Sequence, residues 1–329
     1  MALEKRGNIQ AGIIITVVTS LVGVVLLLLV RPNLLDASQG GVQKVSLPLT
    51  AVQHFDNNDN NDVRLFDCFL INTELDMLEF RLKTLDAVVD VFVLAEFNST
   101  FSGNEKPLYF KDNMHRFSPY LHKISHIVIE DSPLEGSPWA REEYQRNALK
   151  RAFENVDPTL QDQDLIILSD VDEVPDPITL LTLKRQGYLR AVHAFSMDFY
   201  YYSKMASSWE KAKIVRGKIF QEDVMDFSTM RADNSADLPL RGGWHLSYIG
   251  GIEFIQNKLQ SFSHQEYNND QYTNADKISD SIENGKDLYG RVEITFVVVE
   301  LKDNDYLPVH YEMLMNLTSV PGIPSSPPH

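Results

Sequence analysis

The sequence predicts an α/β fold with a mixed, mainly parallel central sheet flanked by helices. Three observations carry this prediction. Short runs rich in β-branched and aromatic residues recur along the chain, stretches of helical periodicity separate them, and one run, "VVDVFVLAE", is apolar almost throughout. A strand covered on one face alternates polar and apolar residues, whereas a continuous apolar run marks a strand covered on both, as in a parallel sheet between helix layers.

The elements follow in order. "RLFDCFLI" reads as the first strand, and Cys68 within it as a small buried hydrophobe. It is the chain's single cysteine, so no internal disulfide can form and stability rests on the core. In "ELDMLEFRLKTL", Leu75, Leu78, Leu82 and Leu85 fall on one helical face and Glu79 and Lys83 pair on another. "VVDVFVLAE" and "KISHIVIED" are the next strands. In "SPWAREEYQRNALKRAFENV", Ser137 caps a helix whose first position is Pro138, where the missing N–H would have no partner anyway. The strand "DLIILSD" leads to "DPITLLTLKRQG", a short helix closed by Gly187, and "AVHAFSMDFYYYS" returns to strand. No internal repeat interrupts this order.

Outside this body the composition changes. Residues 11–30, "AGIIITVVTSLVGVVLLLLV", carry no charge, and at about 1.5 Å rise per residue they would span about 30 Å, a bilayer's hydrocarbon core. The stretch exceeds a signal-peptide core and lacks a good small-x-small cleavage site. We therefore expect a cytosolic tail over 1–10, a transmembrane anchor over 11–30 and, through "DNNDNND", a flexible stem over 31–62. A catalytic body over 63–318 and a Pro-rich disordered tail over 319–329 complete the chain. The 329 residues are 43% hydrophobic, enough for one core, and the formal charge of -16 excludes nucleic acid as a partner.

The informative stretch is "DLIILSDVDEVPDP", which sets Asp170, Asp172, Glu173 and Asp176 directly behind an apolar strand. In open α/β sheets ligands collect outside the carboxyl ends of the strands, so the turn can aim Asp170 and Asp172 at one hard cation, Mn2+ or Mg2+. Asp176, before "PITLL", fits a helix cap, and Glu173 reads as loop. Two enzyme classes place an Asp-x-Asp here. In haloacid-dehalogenase-type phosphatases Asp170 would be a nucleophile, but that fold normally opens with this strand, and here other strands come first. In nucleotide-sugar transferases of the GT-A type the pair holds a metal on the donor diphosphate, and its strand lies mid-domain, as here. A membrane-anchored glycan-binding protein without turnover is a third reading.

Five stretches together carry a family resemblance: "DCFLINTELDMLEFRLKTLDAVVDVFVLAEFNSTFSGNEKPLYF", "REEYQRNALKRAF", "LSDVDEVPDP", "GGWHLSYIGG" and "KLQSFSHQEYN". In this order they resemble glycosyltransferase family 17, the β-1,4-mannosyl-glycoprotein 4-β-N-acetylglucosaminyltransferase relatives. The resemblance implies a GT-A-like fold and inverting transfer of N-acetylglucosamine from UDP-GlcNAc to a glycan acceptor, an N-glycan mannose. It further implies manganese and a type II Golgi membrane protein with a lumenal catalytic domain, which agrees with the anchor. Animal members have cysteines near the "GWH" stretch, where this chain has Leu246.

On this likeness and on chemistry, Asp170, Asp172 and His245 would hold the metal. Glu96 would accept hydrogen bonds from the uridine or ribose, and Arg146 and Asn147 would contact the nucleotide. Arg146 also suits an i, i+4 pair with Glu142. Trp244 would stack on a sugar or base, and His264 would face the acceptor. An inverting transfer needs a base, for which Glu266 is the choice and Asp198, Glu253 and Asp287 are alternatives. Of the sequons at Asn98 and Asn316, Asn98 lies in the expected donor loop and should stay bare, and Asn316, near a mobile tail, is the better acceptor.

Overall fold

A computed structural model describes residues 63–317 except 132, 134, 155, 157–159, 187, 188, 190, 203, 223, 224, 234–240, 292, 293, 295 and 297–303. The expected tail, anchor and stem over 1–62, Gly187 and the tail over 319–329 lie outside these residues. Among the described residues no helix is long and apolar enough to cross a membrane.

The chain opens with β1 (Leu65–Ile71), α1 (Leu75–Leu85), β2 (Val91–Phe97), α2 (Tyr109–Asp112), β3 (Ile124–Ile129), α3 (Pro138–Glu154) and β4 (Leu165–Leu168). It continues through β5 (Glu173–Pro175), α4 (Pro177–Gln186), β6 (His193–Ala194), β7 (Met197–Tyr201), β8 (Lys204–Trp209) and β9 (Lys213–Arg216). Then follow α5 (Gly217–Glu222), α6 (Phe227–Ala232), β10 (Gly243–Ser247), α7 (Ile252–Ser261), α8 (Asp270–Thr273), α9 (Ala275–Asn284) and α10 (Tyr311–Leu317).

Strands β3, β2, β1 and β4 pair in that order, all parallel, and β9 and β6 extend the sheet with antiparallel pairings. Period-two alternation sorts the two faces. Leu65, Phe69, Phe92, Leu94, Leu165 and Ile167 pack with the apolar face of α1, whereas Phe66, Cys68, Val93, Ile166 and Leu168 pack with Leu149, Ala152 and Phe153 of α3. Both faces are thus covered, as the apolar runs require. Cys68 is a free, fully buried thiol within the second group.

A second sheet, ordered β5-β10-β7-β8, was not foreseen. The run read as one strand, "AVHAFSMDFYYYS", is divided: β6 pairs with β9 in the first sheet and β7 with β10 and β8 in the second. The chain passes between them at Phe195 and Ser196, whose backbones bond to Ala212 and Gly242 at 3.0 and 2.9 Å. Gly243 has a φ of +117°, and a Cβ there would stand 2.2 Å from the Val174 carbonyl oxygen, so only glycine lets β10 enter beside β5.

Ser137 and Asp176 cap their helices as expected, accepting from the Ala140 and Ile178 N–H groups. Glu79 does not pair with Lys83; its carboxylate takes Arg116 at 2.7 Å. Asn316 falls within α10 by its backbone, just before the expected tail.

Candidate active site

A cleft of about 570 Å³ opens at the carboxyl edge of β1, β2 and β4, within the roughly 300–1,000 Å³ usual for small-ligand sites. Residues just past each of these strands line it: Asn72 and Glu74 after β1, Ser99 and Thr100 after β2, and Asp170 and Asp172 after β4. Six Lys and Arg against four Asp and Glu line it, in a chain whose formal charge is -16, so positive groups are concentrated where a ligand would sit.

The acidic turn is fixed from beneath. Glu173, read from sequence as loop, is a β5 residue with no exposed side-chain area. Its carboxylate accepts from the Trp209 indole, from both terminal nitrogens of Arg231, and from the Asp170 N–H at 2.9 Å. Burial opposes its ionisation, but Arg231 outweighs that and holds its carboxyl below the usual range. From the other side, Arg81 of α1 binds Asp67 of β1 through two bonds of 2.8 and 2.6 Å, both side chains fully buried. The same guanidinium donates to the carbonyls of Asp170, Val171 and Glu173 at 3.1, 3.3 and 2.7 Å.

So anchored, the turn presents its two aspartates to the cleft. Asp170, 49% exposed by side chain, accepts from Arg231 at 2.8 Å. Asp172 is 9% exposed; its Oδ2 accepts from Lys258 of α7 at 2.7 Å and lies 3.8 Å from His245 Nε2. Burial opposes ionisation of Asp172, yet the Lys258 ammonium and the His245 imidazole prevail and hold it far below the usual carboxylate range. His245 stacks on Phe199 with centroids 4.7 Å apart and tilts against Trp209 at 4.3 Å. Four buried polar atoms of lining residues, Asn72 Oδ1, Ser99 Oγ, the Tyr201 hydroxyl and His245 Nδ1, have no hydrogen-bond partner among the described residues. Buried polar atoms are normally paired, so these four are available to a ligand.

Two carboxylates and an imidazole are donors that suit a hard divalent cation, and 3.8 Å is a separation that two ligands of one ion can have. As they stand, Lys258 and Arg231 already balance the carboxylates, and among the described residues no three His, Cys, Asp or Glu side chains form a group able to hold a metal. The donor types suit such an ion, although in this arrangement Asp172 is taken up by Lys258.

Of the residues proposed from sequence, the cleft brings together Asp170, Asp172, His245, Arg146 and His264. Arg146 pairs with Glu142 as its spacing predicted. The others fall elsewhere. Glu96 is fully buried and accepts from the backbone N–H groups of Phe110 and Lys111 at 2.7 and 3.1 Å, capping α2, with His126 at 3.2 Å. It has no oxygen left for a nucleotide. Asn147 accepts from the Ser228 N–H at 2.8 Å and ties α3 to α6, the helix that carries Arg231. Trp244 is a core residue whose indole donates to the Tyr306 carbonyl at 3.0 Å. Glu266 does not line the cleft; it is exposed and bonds His264 Nδ1 at 2.7 Å. Asp198, Glu253 and Asp287 are not lining residues either. Sequence reasoning missed Arg81, Arg231 and Lys258, the three cations that organise the turn.

Comparison with known proteins identifies relatives of the chain. The beta-1,4-mannosyl-glycoprotein 4-beta-N-acetylglucosaminyltransferases of Rattus norvegicus and Homo sapiens are 31% and 30% identical to the chain over 138 residues, 41% of this chain and 26% of theirs. The protein of the same name from Mus musculus is 30% identical over an equal span. The chain thus matches about a quarter of the length of these relatives. The profile of glycosyltransferase family 17 matches residues 42–308, which takes in both sheets and the cleft, and the chain belongs to that family.

Proposed function

We propose that the protein is an inverting glycosyltransferase that moves N-acetylglucosamine from UDP-GlcNAc to a mannose-bearing glycan, with the cleft as its donor site. Family membership and the names of the relatives support the activity and the sugar. The observation that carries the reading is the convergence of Asp170, Asp172, Arg146, Arg231 and Lys258 at the carboxyl edge of the parallel strands. A pyrophosphate leaving group gathers negative charge as the glycosidic bond breaks, and fixed cations in a partly dehydrated cleft stabilise it better than water does. Lys258 and Arg231, held in place by Asp172 and Asp170, are oriented before any donor arrives. The unbonded Tyr201 hydroxyl and His245 Nδ1 offer further polar contacts to the bound donor.

Asp170, Asp172 and His245 would hold Mn2+, which when bound supplies Lewis-acid neutralisation of the diphosphate. The apolar stretch 11–30 supports a type II, secretory-pathway anchorage with the body in the lumen. Membership of a glycosyltransferase family leaves the Asp170-nucleophile phosphatase reading without support. The test is transfer from radiolabelled UDP-GlcNAc to an N-glycan core oligosaccharide, with and without Mn2+. Transfer supports the reading. UDP binding without any transfer or donor hydrolysis would instead indicate a binding protein.

A further inference from the structure

We propose that the rim formed by Trp139, His264 and Glu266 is the acceptor subsite, where Trp139 carries the acceptor sugar and His264 takes the proton of its attacking hydroxyl. This rests on the transferase reading and adds to it the base and the acceptor contact.

Trp139, at the start of α3, lines the cleft and is 51% exposed, the single large hydrophobic residue so exposed among the described residues. An indole left in water at the mouth of a polar cleft has a use if something covers it, and the C–H face of a pyranose packs well on the negative face of an aromatic ring. His264 stands against it, edge to face, with centroids 4.6 Å apart and planes at 85°. Both side chains are half exposed, so an acceptor arriving from solvent meets them before it meets the buried His245.

The carboxylates of the cleft are poorly placed to be the base, because each already accepts from a donor. Glu74 takes the backbone N–H groups of Asn72 and Thr73, Glu142 takes Arg146 and Ser263, and Asp170 and Asp172 take Arg231 and Lys258. To take a hydroxyl proton, each would have to share or give up a bond that it already makes. His264 differs. Its Nδ1 faces the Glu266 carboxylate at 2.7 Å, which selects the tautomer with the proton on Nδ1 and leaves the Nε2 lone pair free of any partner among the described residues. The His264 bond is the chief reason that the Glu266 carboxyl lies below its ordinary range, so it stays ionised and steadies an imidazolium. In the step itself the acceptor oxygen bonds to the anomeric carbon, the bond from that carbon to the diphosphate oxygen breaks, and its electron pair leaves with UDP. The hydroxyl proton passes to His264 Nε2. Glu266, chosen from sequence as the base, is instead the positioning residue behind it.

The experiment is steady-state kinetics of the full chain with UDP-GlcNAc and a free mannose-terminated N-glycan core oligosaccharide, beside the rise in melting temperature caused by UDP. Trp139→Ala should raise the acceptor KM about tenfold, the equivalent of 1.4 kcal/mol, with the UDP-GlcNAc KM and the UDP shift unchanged, and Trp139→Phe should recover part. His264→Ala should lower kcat by about a hundredfold or more at unchanged KM values, with partial recovery on adding imidazole, and Glu266→Gln should lower kcat less. An unchanged acceptor KM in the first variant, an unchanged kcat in the second, no imidazole recovery, or loss of the UDP shift in either overturns the proposal. If the wild-type chain itself fails to transfer, the transferase reading fails and the subsite with it. If it transfers and the variants match it, the subsite alone is wrong.

Discussion

Arg81 and Asp67 form a doubly hydrogen-bonded ion pair with no exposed side-chain area, and the same guanidinium holds the carbonyls of Asp170, Val171 and Glu173. A core residue of α1 therefore sets the path of the turn that lines the cleft. The turn is shaped by the sheet beneath it, and its two aspartates inherit their positions from that support.

Arg81→Met should destabilise the protein by about 3–5 kcal/mol, because it leaves the Asp67 carboxylate buried without a partner and releases the turn's carbonyls. Adding Asp67→Asn should restore part of that loss. Urea denaturation of the two variants measures both, and a single variant as stable as wild type would contradict the role given to Arg81.

Acid should expose the Asp172–Lys258 pair. The folded-state carboxyl lies far below the value of about 3.9 expected in the unfolded chain, so its contribution is complete above that value and is lost as pH falls through the folded one. In Lys258→Gln the burial of Asp172 loses its main opposing charge, and its carboxyl moves upward. That variant should be less stable than wild type at pH 7, with the gap narrowing towards pH 3. Melting temperatures across this range check it; a gap independent of pH would mean that Asp172 is not ionised against Lys258.

Glu96→Gln should cost stability, on the order of 1–3 kcal/mol, while leaving UDP binding intact, since its oxygens serve the backbone of α2 and not the cleft. Trp244→Phe should behave alike, because its indole serves Tyr306. Isothermal titration with UDP decides, and a large loss of affinity in either variant would return that residue to the donor site.

Much of this was legible in the chain. The apolar runs and helical periodicity from Arg64 to Gln186 foretold β1 to β4 with α1, α3 and α4, because each is a local pattern that burial on the parallel sheet then enforces. The second sheet was not legible: β5 is three residues long, and β10 opens on Gly243, which makes room for it but weakens any strand signal. Arg81 could have been found. It lies three residues after Leu78 and four before Leu85, on the buried face of α1, and Asp67 interrupts an apolar strand, so a charge on each of two neighbouring core elements pointed to a pair. Lys258 and Arg231 gave no such signal, since Lys and Arg on short amphipathic helices are ordinarily surface residues and tertiary placement alone brings them to the aspartates. Glu96 misled for a related reason. Its place at the end of a parallel strand is where ligands gather, but a helix N-terminus claimed it first.

The central claim is that the cleft at the acidic turn receives a nucleoside diphosphate. The most direct measurement is the melting temperature of the purified protein with UDP, with and without Mn2+, beside Asp172→Ala. UDP should raise it, Mn2+ should enlarge the rise, and Asp172→Ala should abolish the metal-dependent part while the variant stays folded. No rise with UDP under either condition, or an unchanged rise in Asp172→Ala, would contradict it.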